Sequence, residues 1–352
     1  MTVLARAAIL TNYLDVTRQL GLNTQHLLAQ VGLSTSILGM PNQRIPVSTA
    51  IKLIEQSALV SGCDTLGLRM AEHRHLSDFG EISLLLSHLP TLRDALQGIV
   101  QYRQLCNDSL AIYIEEAGKM VIIREEVITD IPTASRHASE LAVGVMYRFC
   151  AAQVGVGANW RPISVNFTHP APTDLSVHKR IFGCKVEFGS EFNGIVCQAA
   201  DLDIANPLAN KAMALHARNY LDSLLVENHQ SLMFDVRKSI YLRLPMGRAT
   251  IEQISRTLGM NVRTLQRHLE ESGATFSELI NDVRRDLVIR YLQNPGYSLG
   301  HIADMLGYSM PSSFTRWFSA QFGMPPATWR SRHSKVPRAI QTATECLYSS
   351  PE

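Results

Sequence analysis

Hydrophobic spacing divides the chain into stretches of different period. Over residues 1–110 the apolar positions recur mostly at helical intervals. After Pro46, the run Val47–Val60 places Ile51, Leu53, Ile54, Ala58 and Leu59 on one stripe. Thr91 can cap a helix running to Tyr102, with Leu92, Ala95, Leu96 and Ile99 on one face. From Leu110 the chain turns β-rich. Leu110–Ile114 and Lys119–Arg124 predict paired strands, and Glu116–Gly118 predicts their hairpin loop. Ser135–Gln153 returns to helix. Ser164–Thr168, Val186–Phe188 and Gly194–Val196 predict further short strands, punctuated by Pro170 and Pro172. Asp201–Asn210 is turn-like, Ala212–Glu227 is helical again, and the polar stretch Asn228–Ser231 marks a boundary. Beyond it every periodic segment is helical: about 232–244, 251–258, 262–271, 276–293, 299–306, 310–322 and 326–332. The fold class is therefore an α+β N-terminal domain followed by an all-α C-terminal domain. The expected boundaries are 1–210 for the first domain, 211–231 for a linker helix, 232–334 for the second domain and 335–352 for a flexible tail.

The all-α region contains one helix-turn-helix pattern twice. In the first copy Thr250 and Gln253 form a capping box, and Ile251, Ile254 and Leu258 make a buried face. Gly259 allows the tight turn, and Asn261 can cap the next helix. On that helix Val262, Leu265 and Leu269 point inward, which leaves Arg263, Thr264, Gln266 and Arg267 outward near its N-terminus. The second copy repeats the logic. Ser298 caps, Ile302 and Leu306 are buried, Gly307 turns and Ser309 is expected to cap again. Pro311 falls in the first helical turn, where its missing N–H costs nothing. Phe314, Trp317 and Phe318 form the inner face; Ser312, Ser313, Thr315 and Arg316 face out. The two turn glycines lie 48 residues apart, and a long helix opened by the capping box Thr275–Glu278 joins the copies. In such hairpins the second helix enters the major groove with its N-terminal residues at the base edges. Two copies predict two reading helices, set about one turn of DNA, ~34 Å, apart.

Charge supports that reading. Residues 1–230 hold 18 Lys and Arg against 21 Asp and Glu, whereas residues 231–352 hold 15 against 10. Of those 15 cations 13 are arginines, whose planar fork suits phosphates and guanine edges. Six scattered cysteines without a C-x-x-C pair argue against a zinc ribbon or disulfide scaffold, and fit a reducing cytoplasm. No apolar run is long enough for a membrane helix, and the first residues lack the basic start of a secretory signal. The expected location is the cytoplasm, with no membrane partner.

Enzyme chemistry finds little footing in the first 230 residues. No G-x-S-x-G, H-E-x-x-H, P-loop or G-x-G-x-x-G occurs, so no catalytic residue, cofactor or metal is assigned. Cys63, His73 and His75 have no metal-ligand spacing and no second pair. His169 is read as structural, Arg161 as a packing or ion-pair residue, and the pairs Glu115–Glu116 and Glu125–Glu126 as solvated strand ends.

With these residues in place, the stretch of about Phe234–Arg332 resembles the AraC/XylS family of transcription regulators. The resemblance rests on Ile302-Ala-Asp-Met-Leu-Gly-Tyr-Ser, Phe314-Thr-Arg-Trp-Phe318, Phe322-Gly-Met-Pro-Pro326 and Trp329-Arg330. It implies a seven-helix DNA-binding domain whose base-facing sites fall on Arg263, Gln266 and Arg267, and on Pro311, Ser312, Thr315 and Arg316. Pro311 departs from a pattern that often has a hydrogen-bonding residue there, so weaker base reading by the second unit is expected. The first domain resembles the arabinose-binding-like, non-cupin ligand-binding and dimerisation domain of one branch of that family. The similar stretches are Phe79-Gly80, Leu84–His88, Pro90–Leu92, Trp160–Pro170, Phe182–Phe188 and Asp201-Leu202 with Pro207. The resemblance implies a homodimeric, sequence-specific activator that binds double-stranded DNA in two adjacent major grooves, answers to a small-molecule effector and has RNA polymerase as a further partner. It does not name the effector or its pocket. Two other readings remain open at this point: a ligand-independent dimeric regulator, and an enzyme domain fused to a DNA-binding module.

Overall fold

A computed structural model describes residues 3–129, 135–154, 160–225 and 232–333. The chain divides into two compact units, residues 1–231 and 232–352. The expected boundary stretch 228–231 and the expected tail 335–352 lie outside the described residues.

The first unit opens with a two-stranded antiparallel ribbon, β1 (Leu4–Arg6) and β2 (Arg44–Pro46), around α1 (Tyr13–Gln19) and α2 (Thr24–Gln30). Helices α3 (Val47–Ser61), α4 (Leu66–Glu72), α5 (Ile82–Leu86) and α6 (Leu92–Tyr102) follow. As the sequence indicated, Thr91 caps α6 by accepting a hydrogen bond from the Asp94 N–H. The sheet is built from β3 (Leu110–Ala117), β4 (Met120–Val127), β5 (Ser164–Phe167), β6 (Lys185–Phe188) and β7 (Asn193–Gln198). Its spatial order is β3-β4-β7-β5-β6, antiparallel except for the parallel pair β5–β6. The β3–β4 hairpin closes more tightly than its sequence suggested: Ala117 pairs with Met120, leaving Gly118 and Lys119 as a two-residue turn. Helix α7 (Arg136–Val154) lies against the sheet, α3 and α4, and α8 (Ser176–Phe182) crosses between β5 and β6. The α4–α7 crossing is close because Gly67 has no side chain. A Cβ there would sit 2.0 Å from the His137 carbonyl oxygen.

Two apolar clusters fill this unit. One gathers the sheet and α5–α7, with Phe149, Phe167 and Phe182 at its centre; the other joins α1–α4 through Tyr13, Leu28, Leu53 and Ile54. Helix α9 (Lys211–Leu225), in the stretch read as a linker, buries Ala214, Ala217 and Leu221 in the first cluster. Tyr102 donates to Asp222 at 2.7 Å across the same contact. This helix is therefore a packed element of the first unit.

Two strand-end readings change. Glu115 pairs with Arg124 at 3.0 Å on the outer face of the hairpin, with both side chains largely covered. Glu125 is not solvated. It follows Val121 and Ile123 on the inward side of β4, is 3% exposed, and has no hydrogen-bond partner for either carboxyl oxygen. The alternation of a pleated strand forces that placement. His169 meets expectation as a packing residue, lying 5.1 Å from the Phe167 ring and 5.6 Å from Phe188. It belongs to a buried group around Glu140, whose Oε1 accepts from His178 Nε2 at 3.1 Å and from Arg136 Nε at 3.2 Å.

The second unit is helical throughout its described residues: α10 (Leu232–Arg243), α11 (Ile251–Thr257), α12 (Val262–Glu271), α13 (Phe276–Gln293), α14 (Leu299–Met305), α15 (Pro311–Phe322) and α16 (Pro326–His333). One core binds them, built on Val236, Leu265, Val283, Leu287, Ile302, Phe314 and Phe318. Asp286 of α13 ties α10 to it by accepting from Arg237 at 2.8 Å and from the Tyr241 hydroxyl.

Candidate nucleic-acid interface

Each helix-turn-helix copy is set by local hydrogen bonds that its sequence dictates. At the start of α11, Thr250 Oγ1 accepts from the Gln253 N–H at 3.3 Å and Gln253 Oε1 accepts from the Thr250 N–H at 3.2 Å. The helix ends at Gly259, whose φ of 68° lies in the left-handed region. There the Gly259 N–H bonds to Arg256 O at 3.2 Å and the Met260 N–H to Ser255 O at 2.9 Å. Asn261 then opens α12 by accepting from the Thr264 N–H at 2.8 Å. The second copy reproduces this backbone 48 residues later. Ser298 accepts from the His301 N–H at 3.1 Å, Gly307 takes φ 74°, its N–H bonds to Asp304 O at 2.9 Å, and the Tyr308 N–H bonds to Ala303 O at 2.9 Å.

The copies diverge where α15 begins. Ser309 does not cap α15. The residue before the helix is Met310, which makes no side-chain cap, and Pro311 is the first helical residue. The proline explains the shift: its preset φ starts the helix and removes one N–H that a cap would have satisfied.

The second helix of each copy is held from behind by apolar contacts. Leu265 and Leu269 bury the inner face of α12. On α15, Phe314 and Phe318 are fully buried, and Phe318 stacks on Phe322 at 4.5 Å. The opposite faces are open. Arg263, Gln266 and Arg267 are exposed on α12, with Thr264 half-buried between them. Pro311, Ser312, Ser313, Thr315 and Arg316 are all exposed on α15. Arg267 Nε lies 3.6 Å from Glu271, and both side chains are about two-thirds exposed. Such a pair is weak and screened, so it does not hold the arginine back. Thr315 donates its hydroxyl proton to Pro311 O at 3.0 Å, which leaves its oxygen as an acceptor.

Two further residues were not singled out from sequence. Arg284, on the helix joining the copies, donates from Nε to Leu306 O at 2.9 Å and lies 4.3 Å over the Tyr308 ring. It grips both sides of the Gly307 turn, and burial lowers the pKa of its guanidinium. Its position opposite the second turn is a tertiary fact that helical periodicity does not carry. Met310 stands 59% exposed immediately before Pro311, giving α15 an apolar tip. Its sequence signal was the following Pro311, which sets where the helix starts.

Among the described residues no group of His, Cys, Asp or Glu could hold a metal ion, and no helix is long and apolar enough to cross a membrane. Residues 21–206 match the family described as the arabinose-binding domain of AraC transcription regulator, N-terminal, and residues 254–332 match a helix-turn-helix domain family. The chain is 28% identical over 335 residues to the HTH-type transcriptional regulator VirS of Mycobacterium tuberculosis, covering 93% of this chain and 96% of that protein. It is 24% identical over 319 residues to the ornithine utilization regulator of Pseudomonas aeruginosa, covering 90% and 93%. It is 30% identical over 109 residues to the urease operon transcriptional activator of Escherichia coli, covering 30% of this chain and 36% of that protein.

Proposed function

The chain belongs to the AraC family of transcription regulators, and on that premise we propose that it reads two adjacent major grooves through α12 and α15, as an activator governed by a small molecule bound in the first unit. The observation that carries the reading is the repetition of the same cap, turn and hydrogen bonds in both copies, each with an exposed polar face.

In this reading Arg263, Gln266 and Arg267 contact base edges from α12, where bidentate Arg to guanine and Gln to adenine pairings are available. Arg316 does the same from α15. Thr264, Ser312 and Ser313, with the helix N-termini, bind phosphates and fix the register, and Thr315 joins them by turning its hydroxyl proton from Pro311 O to a phosphate oxygen. Pro311 and Met310 offer apolar contact, which suits a thymine methyl. The name of the urease relative supports the activator role, and an activator has RNA polymerase as a partner. The homodimer and the cytoplasmic location follow the same family reading.

The test is gel-shift titration on a site obtained by selection from random DNA. Arg267→Ala and Arg316→Ala should each weaken specific binding by about 1–3 kcal/mol. Unchanged binding by both variants would remove these assignments.

A further inference from the structure

The first unit has a half-open pocket of about 130 Å³ between α3, α7 and the β3–β4 face of the sheet. Its walls are mostly apolar: Ile51 and Ile54 from α3, Leu141 and Met146 from α7, Ile112 from β3. The ionisable groups lining it are Arg6, Arg74, Asp78, Arg103, Cys106 and Glu125.

Most of these groups already have work in the fold. Arg74 gives its two terminal nitrogens to Ala8 O at 2.6 Å and Ile9 O at 2.8 Å. Arg6 bonds to Asp78 O at 3.3 Å and to the Asn42 side chain. Asp78 accepts from the His75 N–H at 2.9 Å, and Arg103 donates to Val100 O at 3.0 Å. The Cys106 thiol approaches Phe79 O at 3.6 Å. Each of Arg6 and Arg74 keeps one buried, unpaired Nε–H. Glu125 differs from all of them, because neither of its carboxyl oxygens has any partner.

A buried, unpaired carboxyl is costly, and such a group in a native protein calls for an explanation. From this geometry we infer that the cavity is the effector site, and that Glu125 receives the protonated amine of a small ligand with an apolar body about the size of one six-membered ring. The size follows from comparison with engineered cavities of roughly 150 Å³ that accept benzene. The amine follows from Glu125 being the one polar group at the site with both acceptor atoms free. This rests on the effector-controlled reading proposed above and names the ligand class for it. Burial alone raises the Glu125 carboxyl well above its ordinary range, which favours its protonated form before a ligand binds. An ammonium ligand would draw off that proton and form the ion pair.

The experiment uses the full-length protein and four probes with a common ring: benzylamine, benzyl alcohol, toluene and benzoate. Binding is followed by calorimetry in two buffers of different ionisation enthalpy. Benzylamine is expected to bind most tightly, to release protons on binding, and to lose at least tenfold in affinity in Glu125→Gln. Tighter binding of benzoate would overturn the inference and assign recognition to Arg6 and Arg74. Equal binding of toluene, absence of proton release, or no binding by any probe would overturn it as well. Proton release and the ranking of probes need no variant, so they decide the matter even if Glu125→Gln fails to fold. Glu125-dependent binding of benzylamine with no change in DNA affinity would leave the site standing and remove effector control.

Discussion

Glu125 shows how one buried carboxyl imprints itself on stability. An unfolded glutamate titrates near 4.3, whereas burial raises the folded group well above that. Below about pH 4.3 both states hold the proton. Above it the unfolded chain releases the proton while the folded one keeps it, so stability falls as pH rises until the folded carboxyl ionises. Glu125→Gln should flatten this slope in urea denaturation from about pH 5 upward, and Glu125→Leu should stabilise the ligand-free protein by about 1–3 kcal/mol. An unchanged slope would contradict the burial of this group. The Glu140 group works in the opposite direction. Burial holds His169 down to about 4 against an unfolded value of about 6.5. In that window the unfolded chain takes up a proton that the folded one refuses, so stability declines as pH falls from about 6.5 toward 4. Burial raises the Glu140 carboxyl, but the His178 hydrogen bond and the charge of Arg136 outweigh it and leave it lowered. Its contribution is therefore present above about pH 4.3 and lost as pH falls through the lowered folded value. Glu140→Leu should destabilise by about 1–3 kcal/mol, because it leaves the buried His178 ring nitrogen without its partner while Arg136 keeps Asp64. At this scale the chain was half legible. The parity of Val121, Ile123 and Glu125 already put the carboxyl inside, but a glutamate pair at a strand end reads first as solvent-facing. The convergence on Glu140 of His169 and His178, from outside α7, had no local signature, whereas Arg136 sits four residues earlier on the same helix.

Elements are most legible where their punctuation is local. The caps at Thr91, Thr250, Asn261, Thr275 and Ser298 all form as their side chains suggested, because capping is decided within four residues. Helix α8 and the short helices before residue 47 escaped individual assignment, since a stretch of about seven residues holds too few periods to register. The Ser309 expectation failed because Pro311 dictates where α15 begins. The turn at Gly307 carries two constraints. Its φ is left-handed, and an added Cβ would stand 3.2 Å from Leu244 Cδ1. Gly307→Ala should therefore cost about 1–2 kcal/mol in thermal unfolding and weaken DNA binding by tilting α15. Gly259→Ala meets open space and should show the backbone cost alone. Equal effects in both would contradict the packing role of the Gly307 turn. Arg284→Met should keep the volume over Tyr308 but release Leu306 O, loosening the same turn.

At the scale of the whole molecule, the two-unit division and the all-helical second unit were visible in the change of hydrophobic period and in the charge asymmetry. Packing was less visible: α9 reads as a connector by position, yet its alanine and leucine stripe joins the first core. The two copies share a backbone but present different surfaces, three long polar side chains on α12 against one arginine with short hydroxyls and an apolar tip on α15. The DNA site should be correspondingly uneven. The decisive measurement is a base-by-base substitution scan of a selected site, made with the wild-type protein and with Arg267→Ala and Arg316→Ala. Two blocks of sensitive positions about 10–10.5 base pairs apart are expected. The block read by α12 should tolerate fewer changes, Arg267→Ala should relax that block alone, and Arg316→Ala should relax the other. A single block, or a scan left unchanged by both substitutions, would contradict reading of two grooves by these helices.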